Sequence, residues 1–189
     1  MDAFILLKKK EGFDDVNLVL TGGSTGDDKK FLHDLRGRLR ENGLQKQVEF
    51  HEDFEEDGLR EYLEKVAVVS VPVRNGEAFG IYLLECMASG IPVVQPALGA
   101  FPEIVELTGG GVIFKENSPE SLALALEKLL SDPKEMDRLS RAGKEGVDKH
   151  FHIDVQAERM VEVYQSAISA HKENISAHKE NISAHKANS

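Results

Sequence analysis

Two glutamates flank the start of a predicted helix in the stretch GEAFGIYLLECMASG, with seven residues between Glu77 and Glu85. If the helix begins near Phe79 and Gly80, its first amides lack helical partners and present the positive end of the helix dipole, which suits phosphate. Gly80 lets a ligand approach the backbone closely. At the rise of a helix the two carboxylates are roughly 10 Å apart. Each can accept hydrogen bonds from a vicinal diol such as that of a ribose.

Spacing alone leaves a second interpretation of each of these residues open. Glutamates are common on helix surfaces, so Glu85 is also consistent with a half-exposed helix residue and Glu77 with a loop charge. Arg74 precedes them in the same loop and suits either a phosphate contact or an ordinary surface position. We expect Cys86 to fill the core, because no base that would activate it as a nucleophile lies nearby in sequence.

The surrounding segments alternate between short apolar runs and helical patterns from about Asn17 onward. The run VAVVSVPV is β-branched and nearly all apolar, which is typical of a strand covered on both faces. Ser118 before Pro119 is a strong helix start. Strands are predicted at residues 17–23, 47–52, 66–73, 91–96 and 110–115. Helices are predicted at residues 29–42, 59–66, 79–89, 100–107 and 118–132, from residue 132, and at 154–164.

This alternation predicts right-handed βαβ units and an α/β fold around a mostly parallel sheet. Ligands of such folds bind beyond the carboxyl ends of the strands. Three loops lie at those ends, and we expect them to meet and form a binding site: residues 22–26, 74–80 and 97–102.

Composition excludes several classes of protein. The 189 residues carry a net charge of −10 and no extended basic run, which argues against a nucleic-acid partner. Cys86 is the single cysteine, so no intrachain disulfide is possible, as is usual in a reducing compartment. No apolar run approaches the roughly 20 residues of a transmembrane helix. The charges of MDAFILLKKKEG follow its apolar run, unlike a signal peptide, so we expect a cytoplasmic location.

The end of the chain is a heptapeptide repeat, with ISAHKEN at Ile168 and Ile175 and ISAHKAN at Ile182. We predict a domain at residues 1–167 and a helical or disordered tail at 168–189. Self-association could use this tail or exposed core. Two glycosylation-like triplets, at Asn174 and Asn181, are expected to be by-products of the repeat. The repeat's histidines lie seven apart, whereas a helical metal pair needs a spacing of four, so we expect them to be solvated: His171, His178 and His185.

The order of motifs from Pro72 to Val105 resembles the donor-binding half of retaining nucleotide-sugar glycosyltransferases of the two-domain GT-B architecture. Their hallmark is two glutamates seven residues apart, with FG after the first, followed by E-A-M-A-x-G-x-P-V-V and G-G-x-x-E-I-V. Here Glu77, Glu85, ECMASGIPVV and GAFPEIV occupy these places. The resemblance runs from about residue 1 to Tyr164. It implies a Rossmann-like doubly wound parallel sheet with helices on both faces, plus a C-terminal helical extension.

The resemblance also implies a role for each matching residue. Glu77 would be the catalytic residue, contacting donor-sugar hydroxyls near the reacting carbon, and Glu85 would hold the ribose hydroxyls. Amides and basic side chains would stabilise the charge on the leaving diphosphate, with retention of configuration and no obligatory metal. The implied cofactor list is therefore empty, and the donor is a nucleotide diphosphate sugar. Further donor contacts are expected from Phe79, Gly80, Ile81, Gly22, Gly23 and Arg74.

The sequence departs from the family at its beginning. Members open this domain with a strand and a loop carrying an arginine and a lysine, whereas MDAFILLKKKEG resembles the helix after that loop. The resemblance thus implies that this strand, both basic residues and the acceptor-binding N-terminal domain are missing here. We expect Lys8, Lys9 and Lys10 to be a solvated helix end. The chain alone is expected not to transfer a hexosyl group, and the full-length enzyme could lie at the membrane surface.

Smaller features carry their own alternatives. The acidic run at residues 52–57 could bind a metal, but a solvated helix start is the favoured interpretation, because acidic residues stabilise helix N-termini. His51 and Glu52 stand where the family usually has a glycine near the base. Residues 109–111 predict a turn into a strand rather than a phosphate loop, because no helix follows them, and Glu103 suits a helix cap.

Two other classes of function stay open at this point. One is another enzyme on the same architecture, such as a nucleotide-sugar epimerase or a phosphorylase. The other is a non-catalytic Rossmann-like binding or assembly module.

Overall fold

The structure, a computed structural model, describes residues 1–22, 25–51 and 63–187, with the backbone alone for 176–187. The chain divides into two compact units, Met1–Val147 and Asp148–Ser189. The described residues of the first unit form four strands in two parallel pairs. Leu18–Thr21 (β1) pairs with Val48–His51 (β2), and Val93–Pro96 (β3) pairs with Gly111–Phe114 (β4).

Helices connect and cover these strands in an α/β, Rossmann-like arrangement. Their bounds are Asp2–Leu7 (α1), Lys29–Glu41 (α2), Ile81–Ala88 (α3), Phe101–Thr108 (α4), Pro119–Leu130 (α5) and Pro133–Phe151 (α6). The second unit contains the helix Ile153–Ala187 (α7). Most predicted elements are confirmed within two residues at each end. The first half of the predicted helix at residues 59–66 lies outside the described residues, and in the second half Leu63 is helical and a turn follows at residues 64–65.

The predicted strand at residues 66–73 is wrong in extent. Only Val69 forms a bridge, parallel to Val93 of β3. The Val71 amide donates to the Gln95 side chain at 3.1 Å instead of to a strand, and Pro72 has no amide hydrogen to donate. Among the described residues, the sheet therefore consists of two pairs of strands with Val69 bridged to one of them.

Helix α1 joins two hydrophobic cores. Ala3 belongs to a core with Val94 of β3 and Leu122 of α5, while Phe4 packs with Leu39 of α2 and other residues near β1 and β2. Burying an aliphatic or aromatic side chain contributes about 1.5–3 kcal/mol. Since α1 contributes to both cores, it ties the two parts of the sheet into one unit.

Strand β3 is covered on both faces, as its apolar sequence predicts. Val93 and Val94 point to opposite faces, and neither has solvent-exposed surface. Helix α6 comes close to the chain that leads into β4, at the point where Gly110 lies against Gly143. A Cβ added to Gly110 would come within 2.5 Å of the Gly143 Cα. Because neither glycine has a side chain, α6 packs directly on the backbone that leads into β4.

Lys8 differs from its predicted solvated state. Its half-buried ammonium group donates to the carbonyl oxygens of Phe13, at 2.9 Å, and Val16, at 3.0 Å, and also to that of Asp14. Lys10 pairs with Glu127 at 2.7 Å. The turn after α1 directs several carbonyls at one point, and a lysine with three donors can satisfy all of them.

The second unit continues as helix α7 through the heptapeptide repeat to Ala187. Among the described residues, no helix combines the length and the apolar character that a bilayer crossing requires. Several apolar side chains of α7 are at least half accessible to solvent: Met160, Val161, Val163, Tyr164 and Ile168.

Candidate functional site

Helix α3 begins where Gly80 turns the chain with a left-handed backbone, at φ 81° and ψ 58°. A Cβ there would lie 3.1 Å from Phe101 Cε1 and 3.3 Å from Glu77 Cγ, so both conformation and space require glycine. The predicted helix start near Phe79 and Gly80 is confirmed. The first amides of α3 consequently form the positive end of an eight-residue helix.

Glu77 is held by the loop between β3 and α4. The Ala100 amide donates a hydrogen bond of 3.1 Å to the main-chain oxygen of Glu77. The Glu77 carboxylate accepts a bond of 3.0 Å from the Ala78 amide. The half-buried carboxylate is therefore fixed at the side of the turn that leads into α3.

Tyr82, in the first turn of α3, lies beside Glu77. Both the phenol carbon Cζ and the Glu77 Cγ come within 3.5 Å of the position that a Cβ on Gly80 would take. Burial, and then the negative charge of Glu77, raise the pKa of the Tyr82 phenol. A neutral phenol beside a carboxylate is a hydrogen-bond donor, so Tyr82 adds a polar group to the site.

Glu85 lies one turn after Ile81 on an exposed face of α3. Its carboxylate therefore avoids the cost of burial, while the neighbouring Cys86 turns into the core. Burial, and then the Glu85 charge, raise the pKa of the Cys86 thiol to about 11. The thiol is thus core filling, as expected. Phe79 and Ile81 leave 46% and 63% of their surfaces exposed next to the helix start, which offers an apolar surface beside the amides.

A groove of about 640 Å³ opens at the carboxyl ends of β1 and β2. Gly22 and Arg74 both line it, so the structure brings these two predicted site residues together. Asn117 lines it as well and fixes the approach to Arg74, because its side-chain amide donates to the Val73 carbonyl at 2.9 Å. His51 lies on the same wall. The volume is within the range of roughly 300–1,000 Å³ typical of small-molecule sites.

The three predicted loops meet through the middle one. The loop from Arg74 to Gly80 shares the groove with Gly22 at one end and contacts Ala100 through Glu77 at the other. Gly23 and the acidic run at residues 52–57 lie outside the described residues. In the part of the chain that the structure describes, no cluster of three or more metal-ligating side chains occurs.

The other candidate residues lie at the ends of secondary-structure elements. Gly109 ends α4 in a left-handed conformation and β4 starts at Gly111, which confirms the predicted turn into a strand. Glu103 lies in the first turn of α4, where its charge suits the helix dipole.

No local pattern singled out Tyr82 or Asn117 as neighbours of the site, whereas Gly99 and Ala100 lie in the predicted loop at residues 97–102. Asn117 acts through Val73, which is distant in sequence, and Tyr82 lies beside Glu77 at the Gly80 turn. The glycine-containing loop after β3 was the one available signal, because carboxyl ends of parallel strands lie at one edge of a sheet.

Comparison with known proteins matches residues 1–146 to the family described as Glycosyl transferases group 1. A D-inositol 3-phosphate glycosyltransferase of Xylanimonas cellulosilytica is 31% identical over 154 residues, covering 82% of this chain and 36% of that protein. The chain spans between 29% and 40% of the lengths of three curated relatives, two of them D-inositol 3-phosphate glycosyltransferases and one a phosphatidyl-myo-inositol mannosyltransferase of Mycobacterium leprae.

Two solved structures share the fold. Sucrose-phosphate synthase of Thermosynechococcus elongatus superposes with a TM-score of 0.74 at 26% identity, covering 89% of this chain and 42% of that one. The C-terminal domain of the group 1 protein LpcC of Francisella tularensis gives a TM-score of 0.71 at 27% identity, covering 80% of this chain and 77% of that one. The second match is to a single domain, and it covers most of that domain.

Proposed function

Because this chain belongs to the group 1 glycosyltransferase family, we propose that it is the donor-binding half of a GT-B enzyme. In this proposal it binds a nucleotide diphosphate sugar, and the enzyme transfers the hexosyl group to an acceptor with retention of configuration. The single observation that carries the proposal is the start of α3 at Gly80, where no side chain caps the first helix amides, between the fixed Glu77 and the exposed Glu85.

The positive end of α3 suits the diphosphate, because unpaired amides and the helix dipole both favour an anion. Arg74 is exposed in the preceding loop and lines the groove that reaches Gly22. A donor whose nucleoside part lies in that groove would place its diphosphate toward Arg74 and α3. Since negative charge grows on the diphosphate as the sugar–phosphate bond breaks, these donors would favour the transition state. The proposal requires no metal ion.

The two glutamates divide the donor between them in this proposal. Glu85 can accept hydrogen bonds from both ribose hydroxyls, and its exposed position avoids a desolvation cost before the donor arrives. Glu77 would take the sugar hydroxyls, and the Ala100 contact limits its movement. Phe79 and Ile81 expose apolar surface next to the helix amides, and sugar carbons can pack against such a surface.

The proposed domain comprises residues 1–167, with 168–189 as a separate tail. Its partner would be an acceptor-binding domain, since the chain spans about a third of its curated relatives. Sugar transfer then belongs to the larger enzyme, and the proposal expects nucleotide binding but no turnover from these residues alone.

Calorimetric titration of the chain with UDP, GDP and ADP tests the proposal. We expect saturable binding of at least one nucleotide, weakened about tenfold or more in Glu85→Ala, because two charge-assisted hydrogen bonds are lost. Glu145→Ala is the matched control, since Glu145 is an exposed glutamate on α6, and it should bind like the unsubstituted chain. A folded chain that binds none of the three nucleotides would refute the donor-site proposal.

Assembly with a second copy of the chain is a second candidate function, favoured by the exposed apolar side chains of α7. Burial of such a row would release the water that now contacts it. Sedimentation velocity over a range of concentrations distinguishes the two candidates. Concentration-dependent dimers that disappear in Val161→Lys/Ile168→Lys support assembly, and a monomer at every concentration rejects it.

A further inference from the structure

Gly99 lies against the main chain of Glu77 with no room for a side chain. Its backbone is left-handed, with φ 55°, in the loop between β3 and α4. A Cβ at this position would lie 2.1 Å from the Glu77 carbonyl oxygen, 2.7 Å from its nitrogen and 2.9 Å from its carbonyl carbon. All three are backbone atoms, so no rotation of a side chain can relieve the overlap.

Ala100, the residue after Gly99, adds a hydrogen bond to this contact with Glu77. The Ala100 amide donates to the Glu77 carbonyl oxygen at 3.1 Å, the atom that a Gly99 side chain would meet first. On the other side of the same residue, the Ala78 amide donates to the Glu77 carboxylate at 3.0 Å. The position of the peptide and the direction of the carboxylate are thereby linked.

We propose that Gly99 is a positioning residue for Glu77: its missing side chain lets the loop after β3 close on the Glu77 peptide and so aims the carboxylate. The role assigned to that carboxylate rests on the proposed donor-binding function. The contact between Gly99 and the Glu77 main chain follows from the distances given above and does not depend on that function. Gly99 would touch no substrate atom and would act entirely through Glu77.

A side chain at Gly99 must move the two loops apart. The overlap is on the order of 1 Å relative to a normal Cβ–oxygen contact, and a displacement of that size at a reacting group can cost about 100-fold in rate. The Ala100 hydrogen bond, already 3.1 Å long, would lengthen with it beyond the range of about 2.7–3.2 Å usual for N–H···O bonds. Glu85 lies on α3 beyond the turn and would keep its place, so nucleotide binding should persist.

Gly43→Ala is the matched control for Gly99→Ala. Gly43 is also left-handed, with φ 69°, but a Cβ there would meet no atom within 4 Å. The control therefore introduces the backbone strain of an alanine at positive φ without the overlap. Any difference between the two variants reports the contact with Glu77.

Two measurements on the isotope-labelled chain test the inference. The first compares the amide NMR signal of Ala78, which Gly99→Ala should shift and Gly43→Ala should not. The second compares the affinities for UDP-glucose against UDP and for GDP-mannose against GDP. Gly99→Ala should reduce the advantage of the nucleotide sugar about as much as Glu77→Ala does, roughly tenfold, with the diphosphate affinity unchanged within about twofold.

The double variant Glu77→Ala/Gly99→Ala should lose no more of the sugar's contribution than either single variant, because both act through one carboxylate. Fully additive losses would overturn the inference, as would equal shifts of the Ala78 signal in Gly99→Ala and Gly43→Ala. If Gly99→Ala does not fold, hydrogen exchange of the unsubstituted chain decides: an Ala100 amide that exchanges like an unstructured one overturns the inference. Shifted signals in a chain that binds no nucleotide would support the contact and refute the donor site.

Discussion

The hydroxyl of Ser140 on α6 donates a hydrogen bond of 2.6 Å to the main-chain oxygen of Gly90, the glycine that follows α3. The two residues are fifty positions apart in sequence. The bond fastens the end of α3 to the helix that packs across it, while the start of the same helix carries the site. Several consequences of this arrangement can be measured.

Ser140→Ala should lower the free energy of unfolding by about 1 kcal/mol, because it removes a half-buried hydrogen bond and leaves a carbonyl without its partner. Urea denaturation measures the change, and the slope of the transition should stay constant. The control is Ser131→Ala, at an exposed serine after α5, which should change stability by less than about 0.5 kcal/mol. Equal losses in both variants would contradict a role for the bond to Gly90.

Gly146→Ala and Gly37→Ala should have opposite effects on stability, although both replace a helical glycine. At Gly146 an added Cβ would come within 2.4 Å of the Thr108 backbone, so α6 must move away and stability should fall by about 2 kcal/mol. At Gly37 the nearest atom is an Arg40 side-chain nitrogen at 3.9 Å, and the better helix propensity should add roughly 0.5–1 kcal/mol. Thermal or urea unfolding gives both signs. Stabilisation by Gly146→Ala would show that the close approach is not maintained.

Glu77→Gln should lower the pKa of Tyr82 toward, but not fully to, its ordinary value. The carboxylate charge is removed, whereas the burial that is the larger cause of the raised pKa stays. Phenolate absorbance of a Tyr62→Phe/Tyr164→Phe chain isolates Tyr82 for the titration. Because the folded-state pKa is raised, this phenol's contribution to stability is complete below the unfolded pKa of about 10. It is lost as pH rises through the folded value.

The same experiment with Glu145→Gln provides the reference, since that glutamate lies on α6 and is exposed. An unchanged titration in Glu77→Gln would place the Tyr82 phenol away from the carboxylate. If Glu77→Gln lowers the Tyr82 pKa as expected, the free energy of unfolding should also fall less steeply above a pH of about 10 in this variant than in the unsubstituted chain.

Cys86 should resist alkylation in the folded chain. With its pKa raised to about 11, the thiolate fraction at pH 8 is on the order of 0.1%, against roughly a quarter for an ordinary cysteine. Burial further restricts access. Mass spectrometry after iodoacetamide treatment should show labelling at least about 100-fold slower than in denaturant. Equal labelling rates in the two conditions would mean that α3 does not keep Cys86 in the core.

Local patterns predicted most of the elements correctly. Ser118 was predicted to cap α5 and accepts the Ser121 amide at 3.2 Å, with Pro119 as the first helical residue. Such caps are legible in sequence because both partners lie within one helical turn. The start of α3 at Gly80 was likewise accessible, since glycine marks a backbone conformation that other residues rarely adopt.

Partners distant in sequence account for what could not be predicted. The run at residues 66–73 has strand composition, but strand formation depends on which neighbours pair with it, and Gln95 takes the Val71 amide. Lys8 resembled a solvated helix end until the carbonyls of the following turn were placed around its ammonium group. For the site, the sequence predicted that the loops at residues 74–80 and 97–102 meet, whereas the close approach of Gly99 to the Glu77 main chain depends on backbone positions that no local pattern encodes.

The glycines at 99, 110 and 146 are positions where the structure requires volume to stay vacant. Replacement by alanine, usually understood as the deletion of a side chain, is an insertion at these places. A complete substitution map should therefore show little difference among replacements there, because the first added carbon already meets backbone. At Glu77 or Glu85 the outcome should instead depend on which atoms the new side chain retains.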